Sequence, residues 1–199
     1  RADRLRALSK VKGAYVPSLY MVEYNEDFTI KSFTPSENGL PDKIEKRTVA
    51  DFDKAFYPVD QIVPNIGIIH DRIAIEIMRG CKHACKFCQA TIAYRPPRER
   101  SAETIERLAK ETYRSTGYDE ISLLSLSSVD HPELHKMIAK LNMEFCRHGV
   151  SLSIPSLRIE DSLKDIPALI SEVKKSGLTF APEAGSEKLR KLLNKNITN

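Results

Sequence analysis

The residues best suited to chemistry in this 199-residue chain lie in one run, Arg79-Gly80-Cys81-Lys82-His83-Ala84-Cys85-Lys86-Phe87-Cys88-Gln89-Ala90. Three thiols separated by three and then two residues can wrap one inorganic centre, and soft thiolates suit iron–sulfur or zinc. Gly80, lacking a Cβ, lets the backbone approach closely. A cubane cluster takes one ligand per iron, so three cysteines leave one iron open, the mark of a reactive site rather than a structural one. Three other uses of the same residues stay open: a helical face of buried thiols, a structural zinc site with His83 as fourth ligand, and a disulfide pair, which a chain without secretion signals disfavours. Zinc sites are usually built from two paired ligand knuckles, and here the knuckle stands alone. The fourth cysteine, Cys146, is remote from the others. Four cysteines are too few for a disulfide scaffold and point to a reducing, cytoplasmic setting.

The elements that must position this run can be read from periodicity. It succeeds a strand over Arg72 to Met78, in which Ile73, Ile75 and Ile77 share one side. Ile121 to Leu126, Val150 to Ile154 and Leu178 to Ala181 are further short apolar runs. Between them lie helical stripes: Ile105, Leu108, Ala109, Thr112 and Tyr113 after a Ser101 cap; Leu134, Ile138, Leu141 and Phe145 after Asp130 and Pro132; Ile166, Leu169, Ile170 and Val173 after Asp161 and Ser162. A last helix from Ser186 would bury Leu189, Leu192 and Leu193. Gly117, Gly149 and Gly177 close three of these as left-handed caps. Strand and helix alternating about every 30 residues predict an α/β fold. About four βα units of parallel strands are expected, too few for a full barrel, so the architecture is an open sheet or a truncated partial barrel. Ligands in either sit at the carboxyl ends of the strands, here residues 79–100, 125–131, 155–161 and 181–187.

Residues 1–69 read as an N-terminal extension: a short helix over Arg1 to Val11, a β-hairpin of Leu19 to Tyr24 and Phe28 to Phe33, then a polar loop. No chemistry is evident in it. The chain opens on Arg1 rather than Met, which points to a fragment or a processed product. Hydrophobic residues make up 41% and charged residues 29%, enough for a core and against disorder. No run approaches the ~18 apolar residues of a membrane span. The net charge of +4 permits nucleic acid without demanding it. Residues 79–114 hold nine Lys or Arg against four Glu, an excess that cofactor loops and solvated helix faces also produce. His131, His135 and His148 read as surface or capping residues.

Taken together, Cys-x3-Cys-x2-Cys with an aromatic before the third Cys, after the first strand of a parallel βα repeat, resembles the radical S-adenosylmethionine superfamily. Ile75 to Cys81, Cys85 to Ala90, Tyr94 to Ser101 and Leu178 to Arg190 are similar to a largely uncharacterised branch whose longer members carry a cobalamin-binding-type domain before the radical domain. The resemblance covers about residues 70–199, the N-terminal part of the radical domain. It implies a metal-binding, iron–sulfur oxidoreductase fragment, its catalytic residues unassigned. Cys81, Cys85 and Cys88 would hold a [4Fe–4S] cluster whose open iron binds S-adenosylmethionine, cleaved reductively to a 5′-deoxyadenosyl radical for hydrogen abstraction or group transfer. Phe87 would pack on the adenine or anchor the loop. Ser125 and Ser127 stand where the family often has Gly-Gly-Glu. They would meet the methionine amine or, for Ser127 with Ser128, belong to a turn. Arg158 would fork onto the methionine carboxylate or lie on the surface, and Glu183 and Ser186 match a Glu-x-Gly-Ser turn. Thr91 replaces the usual Gly. The resemblance also implies an electron donor such as flavodoxin or ferredoxin; cobalamin would enter only through a domain outside this chain. Two rivals are a structural zinc module and an RNA-modifying enzyme of methylthiotransferase type, nucleic acid being the less favoured partner.

Overall fold

Where short polar caps and positive-φ glycines punctuate the sequence, the chain turns. A computed structural model describes residues 2–159, 166–170, 173 and 180–198. They divide into two units, Arg1–Ala50 and Asp51–Asn199. In the first, α1 (Ala2–Ser9) precedes an antiparallel hairpin of β1 (Tyr20–Tyr24) and β2 (Ile30–Pro35), with Val22 opposite Phe33. Its small core buries Val16, Leu19 and Tyr20, the Tyr20 ring stacked on Phe33 at 4.8 Å between centroids.

The second unit runs β3 (Ile73–Glu76), β4 (Met78–Arg79), α2 (Ala90–Ala93), β5 (Arg98–Glu99), α3 (Ala102–Thr116), β6 (Glu120–Leu124), α4 (Leu134–Phe145), β7 (Ser151–Ser153), α5 (Ile166–Ile170) and α6 (Glu187–Leu192). It is a mixed α/β structure in which β3, β6 and β7 form a parallel sheet in that order, Ile73 opposite Ile121 and Ile121 opposite Leu152. The helical stripes of α3 and α4 face the core as the spacing requires, with Ile105, Leu108, Ile138, Leu141 and Phe145 all buried. Ser101 accepts from the Thr104 N–H at 3.1 Å, and Gly117 and Gly149 take the left-handed conformation. Of the fourth strand, Leu178 and Thr179 lie outside the described residues, as do Asp161, Ser162 and Gly177; Phe180 and Ala181 carry no strand pairing.

Four local expectations are corrected. The strand over Arg72 to Met78 changes partner at Ile77, whose N–H donates to Leu124 while its carbonyl accepts from Arg100, and β4 pairs antiparallel with β5. Asp130 does not cap α4; it ends a 3-10 turn with its carboxylate 2.9 Å from His83 Nε2, and Glu133 holds the capping position. In α6, Leu189 and Leu192 are more than half exposed, and the buried side chain is Arg190, which donates to the carbonyls of Ile197, Ala184 and Gly185. His131 is buried rather than superficial.

Arg100 joins these pieces. Its buried guanidinium donates to the carbonyls of Glu76 (3.2 Å), Asp53 (3.3 Å) and Ala55 (3.1 Å) and lies 4.6 Å over the Phe52 ring. Burial opposes the charge of neighbouring Asp53, yet hydrogen bonds from Ser101 and Thr104, with the Arg100 charge, hold its carboxyl below the usual range. The Arg100 carbonyl faces His131 Nε2 at 2.9 Å, and His131 Nδ1 lies 3.1 Å from the Glu133 N–H. An amide N–H can only donate, so Nδ1 accepts and the proton sits on Nε2: the ring is neutral. Burial likewise pushes the His131 pKa down. A depressed folded pKa contributes stability that is complete above the free-imidazole value of about 6.5 and is lost as pH falls below it. His131→Gln, which cannot titrate, should cost about 2 kcal/mol at pH 7.5 through two buried hydrogen bonds. The difference from wild type should narrow at pH 5, read by urea unfolding; a gap that stays constant would contradict the neutral, buried ring.

Candidate metal centre

Because β4 and β5 pair, residues 80–97 leave the sheet as a loop with a closed neck. Gly80 forms one side of that neck at φ +97; a Cβ there would stand 2.7 Å from the Tyr94 carbonyl oxygen and 2.9 Å from Pro97 Cα. The Arg95–Pro96 bond on the other side is cis. Below the neck, Arg79 forks onto Glu76 at 2.8 and 2.6 Å and lies over Phe52. The loop is tied at two further points. Lys82 donates to the Asp130 carbonyl at 2.9 Å, and His83 Nε2 sits 2.9 Å from the Asp130 carboxylate. On the other flank, the Lys86 N–H donates to the Leu193 carbonyl at 3.0 Å and Asn194 Nδ2 to the Ala84 carbonyl at 2.9 Å.

The loop carries Cys81, Cys85 and Cys88 to one wall of a cleft of about 350 Å³. The opposite walls lie just past the carboxyl ends of the parallel strands: Leu126 and Ser127 beyond β6, Pro155 to Arg158 beyond β7, and then Ala181, Glu183 and Lys195. All four cysteines of the chain are free thiols. Burial pushes the Cys81 thiol up. The Thr91 N–H holds Cys88 below its ordinary value; burial opposes it, and the Ala90 N–H and Thr91 hydroxyl reinforce it. Among the described residues no three His, Cys, Asp or Glu side chains converge as ligands of a single ion. A cubane instead takes each thiolate on a different iron, which spaces them farther apart.

The remaining sequence-derived residues fall into two groups. Phe87, Ser127, Arg158 and Glu183 line the cleft. Phe87 is 54% exposed, a ring open to a ligand. Arg158 Nη1 stands 3.9 Å from Cys85 Sγ, and Glu183, at φ +69, pairs with Lys195 Nζ at 2.9 Å. Ser125 and Ser186 are outside the cleft lining. The Ser125 hydroxyl pairs with that of Ser128 at 2.8 Å and accepts from the Ser127 N–H at 3.1 Å, and Ser186 caps α6 through the Leu189 N–H at 3.3 Å. Ser127 Oγ is buried with no hydrogen-bond partner among the described residues. A buried hydroxyl left unpaired is costly, so its place in this wall fits a polar ligand. Three soft thiols on the facing wall fit an iron–sulfur group, and the two requirements meet in one cleft. Sequence inspection missed Asn194 and Lys195, because their partners lie over a hundred residues earlier or across a turn without a motif.

Residues 75–199 match the family described as the Radical SAM superfamily. Over 141 residues, 71% of this chain, the sequence is 36% identical to an uncharacterized protein of Methanocaldococcus jannaschii. That alignment covers 30% of the relative, so the chain spans less than a third of the length of the curated protein it matches. No helix among the described residues is long and apolar enough to cross a membrane.

The neck generates a prediction. Gly80→Ala would add a strained φ and a Cβ against backbone that cannot swing aside, so it should lower stability by about 2 kcal/mol or more. Chemical denaturation checks this; a variant as stable as wild type would show that the neck is not closed.

Proposed function

We infer, from the premise that this chain belongs to the Radical SAM superfamily, that Cys81, Cys85 and Cys88 hold a [4Fe–4S] cluster and that the adjoining cleft binds S-adenosylmethionine. The observation that carries this is one cleft lined by three free thiols, a buried hydroxyl at Ser127 unpaired among the described residues, and the charged side chains of Arg158 and Glu183. When bound, the cluster supplies the electron that splits a carbon–sulfur bond of S-adenosylmethionine, giving methionine and a 5′-deoxyadenosyl radical for hydrogen abstraction or group transfer. The electron would come from a flavodoxin- or ferredoxin-type donor. On this reading β3, β6 and β7 are the opening strands of a partial (βα) barrel, and residues 70–199 belong to the radical domain. The free thiols suit a reducing, cytoplasmic compartment.

The chain's own residues divide the work. Phe87 offers an aromatic face to the adenine. Ser127 meets the methionine amine, held there by the bond from its N–H to Ser125. Arg158 presents a fork suited to the methionine carboxylate, with one nitrogen toward Cys85 Sγ. Glu183, anchored by Lys195, faces the cleft from beyond Ala181, and the Ser186 cap fixes the turn that carries it. Leu126 and Leu157 give the cleft an apolar stretch of wall.

Three measurements test this. After anaerobic reconstitution, wild type should carry about four irons with matching sulfide, and the Cys81/Cys85/Cys88→Ala triple variant almost none. Adding S-adenosylmethionine should alter the electron paramagnetic resonance spectrum of the reduced sample. One zinc and no iron would overturn the assignment. In reconstituted protein, Arg158→Gln or Glu183→Gln should weaken S-adenosylmethionine binding more than tenfold, about 1.4 kcal/mol, with iron retained. Unchanged calorimetric affinity would remove those two residues from the pocket and leave the cysteines in place.

A further inference from the structure

The Arg1–Ala50 unit carries a second, unrelated cleft. Its walls are residues 9–14, Gly39, Pro41 and residues 43–48, enclosing about 810 Å³, and its charged lining is Lys10, Lys12, Lys43, Lys46 and Arg47 against the carboxylate of Glu45. The walls are packed to a fixed spacing. Gly13 sits at φ +85, where a Cβ would meet Arg47 Cγ at 2.6 Å, so the Arg47 stem runs directly across the Gly13 backbone. Lys10, Lys12, Lys43 and Arg47 make no ion pair among the described residues. Sharing Gly13, Lys43, Ile44 and Lys46 with this cleft is another, faced by Tyr15, by Tyr24 and Phe33 of the hairpin, and by the carboxylate of Asp42. There Tyr24 is 60% and Tyr15 46% exposed, and Tyr15 is braced by the Tyr20 and Phe33 rings at 5.4 and 5.8 Å.

A cationic groove continuous with open aromatic rings has two chemistries to satisfy. Phosphates suit the first and flat bases the second, and the pair recurs in proteins that hold single strands. Duplex would bring phosphates but keep its bases stacked out of reach. A mononucleotide would fill only one of the two joined clefts. We propose that the Arg1–Ala50 unit binds single-stranded nucleic acid, its phosphates along Lys10, Lys12, Lys43 and Arg47 and its bases on Tyr15 and Tyr24. Nothing in this depends on the iron–sulfur site, since no residue is shared with it.

The test is fluorescence anisotropy of the full chain with 5′-labelled 12-nucleotide single strands, RNA and DNA in separate arms, from 50 to 200 mM salt. A hairpin duplex and unlabelled UMP serve as competitors. Binding to either strand should fall with salt at a log–log slope of about −2 to −3, the release expected from three or four phosphates. Lys12→Gln/Lys43→Gln/Arg47→Gln should weaken it at least tenfold and flatten the slope. Tyr24→Ser should weaken it about fivefold or more and leave the slope as it was. These side chains are exposed, and unchanged circular dichroism and iron content of each variant would separate lost binding from lost fold. Absence of binding to both strands, equal preference for duplex, full competition by UMP at matched phosphate, or variants that bind as wild type would each overturn the proposal.

Discussion

The buried Arg100 guanidinium is the contact on which the arrangement of the second unit turns. A charge this deep must be surrounded by acceptors, and it takes three backbone carbonyls, from Glu76, Asp53 and Ala55, and the face of Phe52. These partners come from two separate pieces of chain. The segment 52–55 is thereby fastened beneath the end of β3, and the Asp53 carboxylate receives Ser101 and Thr104 at the start of α3. The backbone of the same arginine completes the set, giving its N–H to Ile77 and its carbonyl to His131. One residue thus fixes where the first strand of the sheet stops, where α3 starts and how α4 approaches.

That junction is also what aims the cysteines. The Ile77 carbonyl is taken by Arg100, so the chain cannot continue along β6 and must turn out through β4. Gly80 then admits the tight approach of Tyr94 and Pro97, and the loop leaves the sheet at its carboxyl edge. Its flanks are held by Asp130 on one side and by Leu193 and Asn194 on the other. A loop so tied presents three thiols to a cleft instead of trailing in solvent, the preorganisation that a reactive centre requires. The Ser125–Ser128 hydroxyl pair does the same on the facing wall, leaving the Ser127 hydroxyl without a partner among the described residues.

The two units are built for different neighbours. The second gathers charges into pairs and networks, as the Glu106, Lys110 and Lys140 cluster between α3 and α4 shows. The first holds Lys10, Lys12, Lys43 and Arg47 around a groove, with no ion pair among the described residues, and its aromatics open beside it. Like charges gathered around one groove repel, and an anion between them would relieve that repulsion.

How much of this could be read from the sequence depended on whether the cause was local. The cysteine spacing, the stripes of α3 and α4, the Ser101 and Ser186 caps and the left-handed Gly117 and Gly149 are fixed by neighbours a few residues away, and each appears where the sequence puts it. The error at Asp130 has the same origin in reverse: a good capping residue was drawn off by His83, far earlier in the chain, which no local pattern records. His131 looked superficial because its partner is a backbone carbonyl, and carbonyls carry no sequence signature. In α6 the leucine stripe yielded to Arg190, whose three carbonyl partners exist only after the chain folds back. The groove of the first unit was invisible for that reason too, since Lys10 and Lys12 meet Lys43 and Arg47 only across the Gly13 contact. Residue type and spacing determined which chemistry these side chains suit. Where that chemistry sits was decided by tertiary contacts, because a buried charge or hydroxyl takes its partners from wherever the fold brings them.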